Sequence, residues 1–311
     1  MSEKFRILIA YDGSDCAEAA IKELMRAGLP ASAEAIVLTV ADVFVPEPVN
    51  EEIDNTFPFY VPEGVKRAHA HAARELEKAK MMSEEAAARV REIFPGWDVC
   101  AESCADSPAW AIIRRADEWK PDLVVVGAQG HAVLGGRLIL GSVSQRVLYE
   151  ASSSVRVARS ARLESDSPVR ILIGVDGSAD AEKAVSAVAG RSWPNGTEVR
   201  LVTAVDTVMQ VTVDPGTPSV VKWVETDTGR ELIEKAFEAL AQKLRTVGVS
   251  ASIVVKKGSP QHVLIEEAES WGADMVFVGA KGVRGIDRIL LGSVSAAVAA
   301  RAQCSVEVVR T

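Results

Sequence analysis

The stretch GAKGVRGIDRILLGSVS, Gly279 to Ser295, follows directly on the apolar run ADMVFV, and its residue types and spacing suit it to holding an anion. Gly279 and Gly282 sit three apart, nine residues intervene, and Gly292-Ser293 then opens a segment of helical character. Glycines there would let the backbone turn with positive φ and approach a ligand with no β-carbon in the way. A helix start offers unpaired amides and the positive end of its dipole to phosphate oxygens, and the Ser293 and Ser295 hydroxyls would add donors. GAQGHAVLGGRLILGSVS repeats the arrangement about 150 residues earlier, with Gly127, Gly130, Gly141, Ser142 and Ser144 in the corresponding places. Asp176 in VDGS and Asp12 in YDGS each end another apolar run. A carboxylate would be repelled by phosphates, so a ribose hydroxyl or an adenine amino group suits it better. Both aspartates could instead only form turns with the next glycine, and the serines could only cap helices. The P-loop pattern GxxxxGK[ST] and the dinucleotide pattern GxGxxG are absent.

The elements that must position these residues are also written twice. FRILIAYDGSDCAEAAI returns as VRILIGVDGSADAEKAV, EWKPDLVVVGAQG as SWGADMVFVGAKG, and LILGSVSQRV as ILLGSVSAAV, in the same order. The boundary falls in the polar RSARLESDSP, Arg159 to Pro168, which predicts domains over 1–160 and 167–311. Within the first repeat, RILIAYD, EAIVLTVAD, DVCAESC, DLVVVGA and SVRVAR read as strands. Between them lie four helical patterns: one capped by Ser14, one from Gly64 to Phe94, SPAWAIIRRADEW and GSVSQRVLYEA. Apolar strands alternating with helices predict an α/β fold, doubly wound, with a parallel sheet covered on both faces. If the first and fourth strands are neighbours where strand order reverses, YDGS meets GAQG and VDGS meets GAKG in one crevice. The proline-bearing segment Phe44 to Gly64 reads as a surface loop, and its counterpart near VMQVTVDPGTPSV has diverged.

Composition narrows the classes. The chain has 311 residues, 48% hydrophobic and 25% charged, with a net charge of −8, which argues against a nucleic-acid groove but leaves backbone anion binding open. Cys100 and Cys104 share a strand face about 13 Å apart, too far for a disulfide. Reduced thiols and a cytoplasmic setting are therefore expected for all four cysteines. No window approaches the roughly 20 apolar residues of a membrane span. His69 and His71 face different ways on a helix, and His131 alone lies near a glycine cluster. No metal-ligand spacing and no nucleophile–base set is evident. Trp119 and Trp271 read as core packing.

The arrangement G-x2-G-x9-G-[ST], preceded by an apolar strand and paired with VDGS, resembles the universal stress protein family, in a tandem form. The resemblance implies two five-stranded parallel α/β domains, adenine nucleotide alpha hydrolase-like, binding ATP with magnesium across the phosphates. By the same resemblance Asp176 and Ala204 flank adenosine, while Gly279, Lys281, Gly282, Gly292, Ser293, Val294 and Ser295 hold phosphates. Asp12, Val40, Gly127, Gly130, Gly141, Ser142, Val143 and Ser144 would do so in the first repeat. It also implies that SVRVAR and SVEVVR pair to form an internal pseudo-dimer, with a homodimer as a further possibility. The repeats differ: ten residues, not nine, separate Gly130 from Gly141, and Asp106 replaces Gly258. Ser154 and Ser305 stand where the family often has proline before the last strand. The second site is therefore expected to bind ATP more tightly. Two other readings stand beside a nucleotide-binding stress protein: a slow ATP hydrolase, and an association platform whose last strands seek partners.

Overall fold

The computed structural model describes residues 4–44, 63–129, 140–159, 168–205, 208–214, 217–222, 227–282 and 291–310. The first repeat runs β1 (Phe5–Ala10), α1 (Asp15–Glu23), a 3₁₀ turn (Leu24–Arg26), β2 (Ala33–Ala41), α2 (Glu63–Ile93), β3 (Asp98–Ala105), α3 (Pro108–Trp119), β4 (Leu123–Gly127), α4 (Ser142–Glu150) and β5 (Ser154–Ala158). The second runs β6 (Arg170–Gly174), α5 (Ala179–Ala189), β7 (Glu198–Val205), β8 (Val208–Asp214), β9 (Thr217–Lys222), α6 (Asp227–Thr246), β10 (Ser250–Lys257), α7 (Pro260–Trp271), β11 (Met275–Gly279), α8 (Ser293–Arg301) and β12 (Ser305–Val309). Local chemistry explains the boundaries. Ser14 and Ser178 accept from the amides of Ala17 and Ala181 at 3.2 Å, capping α1 and α5. Pro108 and Pro260 open α3 and α7 without losing a helical hydrogen bond. Left-handed residues, Lys120 at φ 52° and Gly272 at φ 69°, close the same two helices.

Ten strands form one sheet in the order β10-β7-β6-β11-β12-β5-β4-β1-β2-β3. Within this sheet all pairings inside a repeat are parallel, while β5 and β12 pair antiparallel, with Val155 opposite Val308 and Val157 opposite Val306. The strands are apolar on both sides because helices cover both faces. On one face Val124, Val126, Val155, Val157, Val276, Val278, Val306 and Val308 share a single core with α3, α4, α7 and α8 from both repeats. On the other, α1 and α2 cover the first repeat and α5 and α6 the second, each over its own cluster.

The joint is locked reciprocally. Ser305 Oγ accepts from the Arg159 amide and Ser154 Oγ from the Arg310 amide, both at 3.0 Å. The Arg159 guanidinium donates to the Ala299 carbonyl at the end of α8, and that of Arg310 to the Leu148 carbonyl near the end of α4. Each repeat's last arginine thus caps the other repeat's last helix, where the dipole favours a cation. Serine at these positions supplies an acceptor that proline would lack.

Most predicted elements match. In the second repeat, where a divergent loop is expected, the backbone instead forms the antiparallel hairpin β8–β9, consistent with the β-branched run Val211–Val213 and the pair Val220–Val221. Most of the first repeat's proline-bearing segment, 45–62, lies outside the described residues. The four cysteines are free thiols. Trp271 is buried and Trp119 packs against the shared core, as their reading as core residues requires. Among the described residues no helix is long and apolar enough to cross a membrane.

Candidate functional site

Strand order reverses between β1 and β4 and again between β6 and β11, which are hydrogen-bonded neighbours. The carboxyl ends of these strands therefore define one crevice per repeat, where open α/β sheets accept ligands. In the second repeat Asp176 ends the β6 run and the loop after β11 comes to meet it. A β-carbon on Gly282 would stand 2.6 Å from Asp176 Oδ2, so the carboxylate lies against the glycine backbone. Gly292 returns the loop, its amide donating to the Ala280 carbonyl at 2.7 Å, and serves as the N-cap of α8. Among the described residues no side chain caps α8 or accepts from its first amides, at Ser293, Val294 and Ser295.

Two expectations change here. Gly279 and Gly282 are not among the glycines of positive φ; those beside the site are Gly13 at 75° and Gly177 at 81°, within YDGS and VDGS. Asp12 Oδ1 and Asp176 Oδ1 each accept from the serine amide two residues on, at 3.0 Å, so the aspartates do form turns. Glycine is required at 279 and 282 for close approach, not for dihedral freedom. The second change concerns the serines. The Ser295 hydroxyl donates to the Gly279 carbonyl at 2.6 Å and the Ser144 hydroxyl to the Gly127 carbonyl at 2.5 Å. Each ties a helix start to a strand end, so its single hydrogen is spent, and only the backbone amide remains as donor.

Asp180 is a site neighbour that the motif did not single out. Its Oδ2 accepts from the Lys281 amide at 3.0 Å, and Ser178 Oγ donates to the Lys281 carbonyl at 3.4 Å. The start of α5 thus holds the GAKG loop at both backbone groups of Lys281. Position 16, its counterpart, is cysteine, a difference visible when DGSADA is set beneath DGSDCA.

The first repeat has the same frame. Asp12 accepts from the Ser14 hydroxyl at 2.6 Å, Gly141 is the N-cap of α4 with its amide on the Ala128 carbonyl at 2.8 Å, and Ser142, Val143 and Ser144 begin that helix. Gly130 and His131 lie outside the described residues. Val40 and Ala204 sit at equivalent places near the ends of β2 and β7, beside Cys104 and Lys256 respectively. Gly258 adopts φ 141°, whereas Asp106 is held by the Ser107 amide and by Arg114, each at 2.7 Å. Those two contacts, the amide first, hold the Asp106 carboxyl below its ordinary range.

Tyr11, where the second repeat has Val175, makes a further asymmetry. Its hydroxyl donates to Glu18 and accepts from Arg89 Nη2 at 2.7 Å. Burial, and then Glu18, push the phenol up to about 12. A raised value means that the folded state favours the protonated phenol. Its contribution is full below the ordinary value of 10 and is lost as pH rises toward 12. One of the three tyrosines should therefore titrate late in phenolate absorbance, and Tyr11→Phe should remove that late step.

The universal stress protein family model matches the chain twice, over residues 5–159 and 169–310. The chain belongs to the universal stress protein family. It is a tandem member: a universal stress protein of Mycolicibacterium smegmatis is 28% identical over 312 residues, covering 99% of this chain and 97% of that one. A universal stress protein of Mycobacterium tuberculosis is also 28% identical, covering 98% and 96%. Among solved structures, a universal stress protein from Archaeoglobus fulgidus superposes with a TM-score of 0.63 at 16% identity, covering 98% of each chain. A functionally unknown protein from Pseudomonas aeruginosa gives 0.58 at 16% identity, covering 99% of this chain and 92% of that one. These two likenesses bear on the fold.

In this universal stress protein the two strand-end glycines are not equally tight. A β-carbon on Gly279 would come 2.5 Å from the Asp180 carbonyl carbon, whereas one on Gly127 would stand 3.2 Å from the backbone of Cys16. Gly279→Ala should then cost about 1–3 kcal/mol through overpacking against helix backbone. Gly127→Ala should cost less, and thermal unfolding of the two variants checks the order.

Proposed function

We propose that the protein binds adenine nucleotide, ATP with its magnesium, in the crevice of each repeat, and more tightly in the second. The observation that carries this reading is the contrast between helix starts. Serines 14 and 178 cap α1 and α5, and α3 and α7, which also lack a side-chain cap, open at prolines after β3 and β10, away from the switch point; α4 and α8 begin at the switch point at glycines with no described capping side chain. Free amides at a helix start are an anion site, and neutralise phosphate without the basic side chains that a net charge of −8 does not favour. Asp176 would take a ribose hydroxyl or adenine amino group, with Ala204 against the base, while Gly282, Gly292, Ser293, Val294 and Ser295 present backbone to phosphates. Lys281 would add charge at the rim. Asp12, Val40, Gly127, Gly130, Gly141, Ser142, Val143 and Ser144 would form the weaker site, in a unit spanning 1–160, with the second unit spanning 167–311. Magnesium would arrive on the triphosphate.

Binding is preferred to turnover because the carboxylates assigned to the crevices, Asp12 and Asp176, accept from the Ser14 and Ser178 amides and in this reading face the nucleoside, not the phosphates. The association reading is weakened by the use of β5 and β12 on each other, which leaves β3 and β10 as the sheet's edges. Denaturing freshly purified protein and quantifying released nucleotide tests the proposal. Near one adenine nucleotide per chain is expected, in the second repeat; near two would equate the sites. No nucleotide, together with no response to added ATP and magnesium, would overturn it. Linear turnover above a buffer control, lost in Asp176→Ala, would favour the hydrolase.

A further inference from the structure

Four charged side chains form a row at the centre of the joint between the repeats. Arg156 on β5 lies directly opposite Glu307 on β12 in the antiparallel register. Its guanidinium donates from Nη1 to Glu307 Oε2 at 2.9 Å and from Nε to Glu23 Oε2, at the end of α1, also at 2.9 Å. Glu307 in turn accepts from Arg191, just beyond α5, with Nη1 at 3.0 Å. Arg156, Glu23 and Glu307 are each at most 1% exposed. The signs alternate along the row: Glu23, Arg156, Glu307, Arg191.

The internal repeat shows what the alternation selects. Arg156 in SVRVAR and Glu307 in SVEVVR occupy the same place, whereas Glu23 matches Ala187 and Arg191 matches Ala27. Around the strand pair other contacts are one-sided too, Arg26 of the first repeat reaching Asp274 of the second. The strand pairing itself has the same parts in both repeats: Val155 and Val306, the serines at 154 and 305, the arginines at 159 and 310. Those parts would serve two like repeats as well as two unlike ones. The charges would not. Two first repeats joined by β5 would set Arg156 against a second Arg156, and two second repeats joined by β12 would set Glu307 against a second Glu307. Buried away from water, like charges face each other with little screening, and repulsion of this kind is how an interface rejects a wrong partner.

We infer that this edge is a heterospecific docking surface. A first repeat accepts a second repeat and refuses another first repeat, so copies of this chain can join through β5 or β12 only by exchanging unlike repeats. The inference rests on the joint alone and stands whether or not nucleotide binds.

Three variants of the full chain test it. Glu23→Arg with Arg156→Glu reverses the first repeat's half of the row and sets Glu against Glu at the centre. Arg191→Glu with Glu307→Arg reverses the other half and sets Arg against Arg. The variant with all four changes restores alternation with the opposite polarity. Each double variant should melt roughly 10 °C or more below the parent. The fourfold variant, although more heavily substituted, should regain most of that loss and keep the parent's mass by light scattering. If the double variants fail to fold at all, a folded fourfold variant still supports the inference. Double variants as stable as the parent, or a fourfold variant no more stable than either double, would overturn it.

Discussion

Gly282→Val is expected to lower the affinity of the second crevice for ATP about 100-fold, the scale of a misplacement near 1 Å at a tight site. The reason is steric and local. The new β-carbon alone would reach 2.6 Å from Asp176 Oδ2, and the two γ-methyls would add to the crowding. Either the carboxylate swings away from the position proposed for the nucleoside, or the loop retreats from the phosphates. Both outcomes separate parts that one ligand must touch together. Fold stability should change little, because Gly282 lies at the crevice and outside the core clusters. Calorimetric titration with ATP and magnesium checks the affinity, with Gly130→Val as the counterpart in the first repeat. A larger loss from Gly130→Val would reverse the proposed ranking of the sites.

Arg156→Met should cost about 3–5 kcal/mol of folding stability, the range for removing one partner from a buried ion pair. Glu307 would keep Arg191, but Glu23 would be left fully buried without the cation that holds it among the described residues. The cost is therefore that of an uncompensated buried carboxylate, more than that of a lost attraction. Adding Glu23→Gln to Arg156→Met should recover part of the loss, since a neutral amide is cheaper to bury than a carboxylate. Urea unfolding of parent, single and double variants measures both effects. A single variant that unfolds with the parent would mean that the row adds nothing to the joint.

Much of this molecule was legible from residue order. The alternation of apolar runs with amphipathic stretches located the five main strands and four helices of the first repeat, because burial of both sheet faces leaves so strong a pattern. Internal repetition located the second set. Ser14 was recognisable as a cap because its type and place answer to a local rule. The crevice residues are legible as a group through glycine spacing, and of the two reasons for glycine there, close approach holds and positive φ does not. Positive φ belongs to Gly13 and Gly177, whereas Gly279 and Gly282 are demanded by Asp180 and Asp176, which approach from another part of the chain. The Ser295 hydroxyl is not the ligand donor its position suggests, for a similar reason: a carbonyl 16 residues away claims it, as one 17 residues away claims that of Ser144.

The two α/β repeats, the strand-end aspartates, the glycine-rich loops and the helix starts that follow them are all consequences of local residue type and period. The β5–β12 pairing that the resemblance implied is present, but that β1 and β4 are neighbours and that Asp180 holds the GAKG loop follow from the three-dimensional arrangement alone. It also decided that Arg156 and Glu307, unremarkable in SVRVAR and SVEVVR, meet where water is excluded. Periodicity records which face of an element is buried. It carries no record of which distant side chain will be buried against it, and in a low-dielectric joint that choice sets the energy.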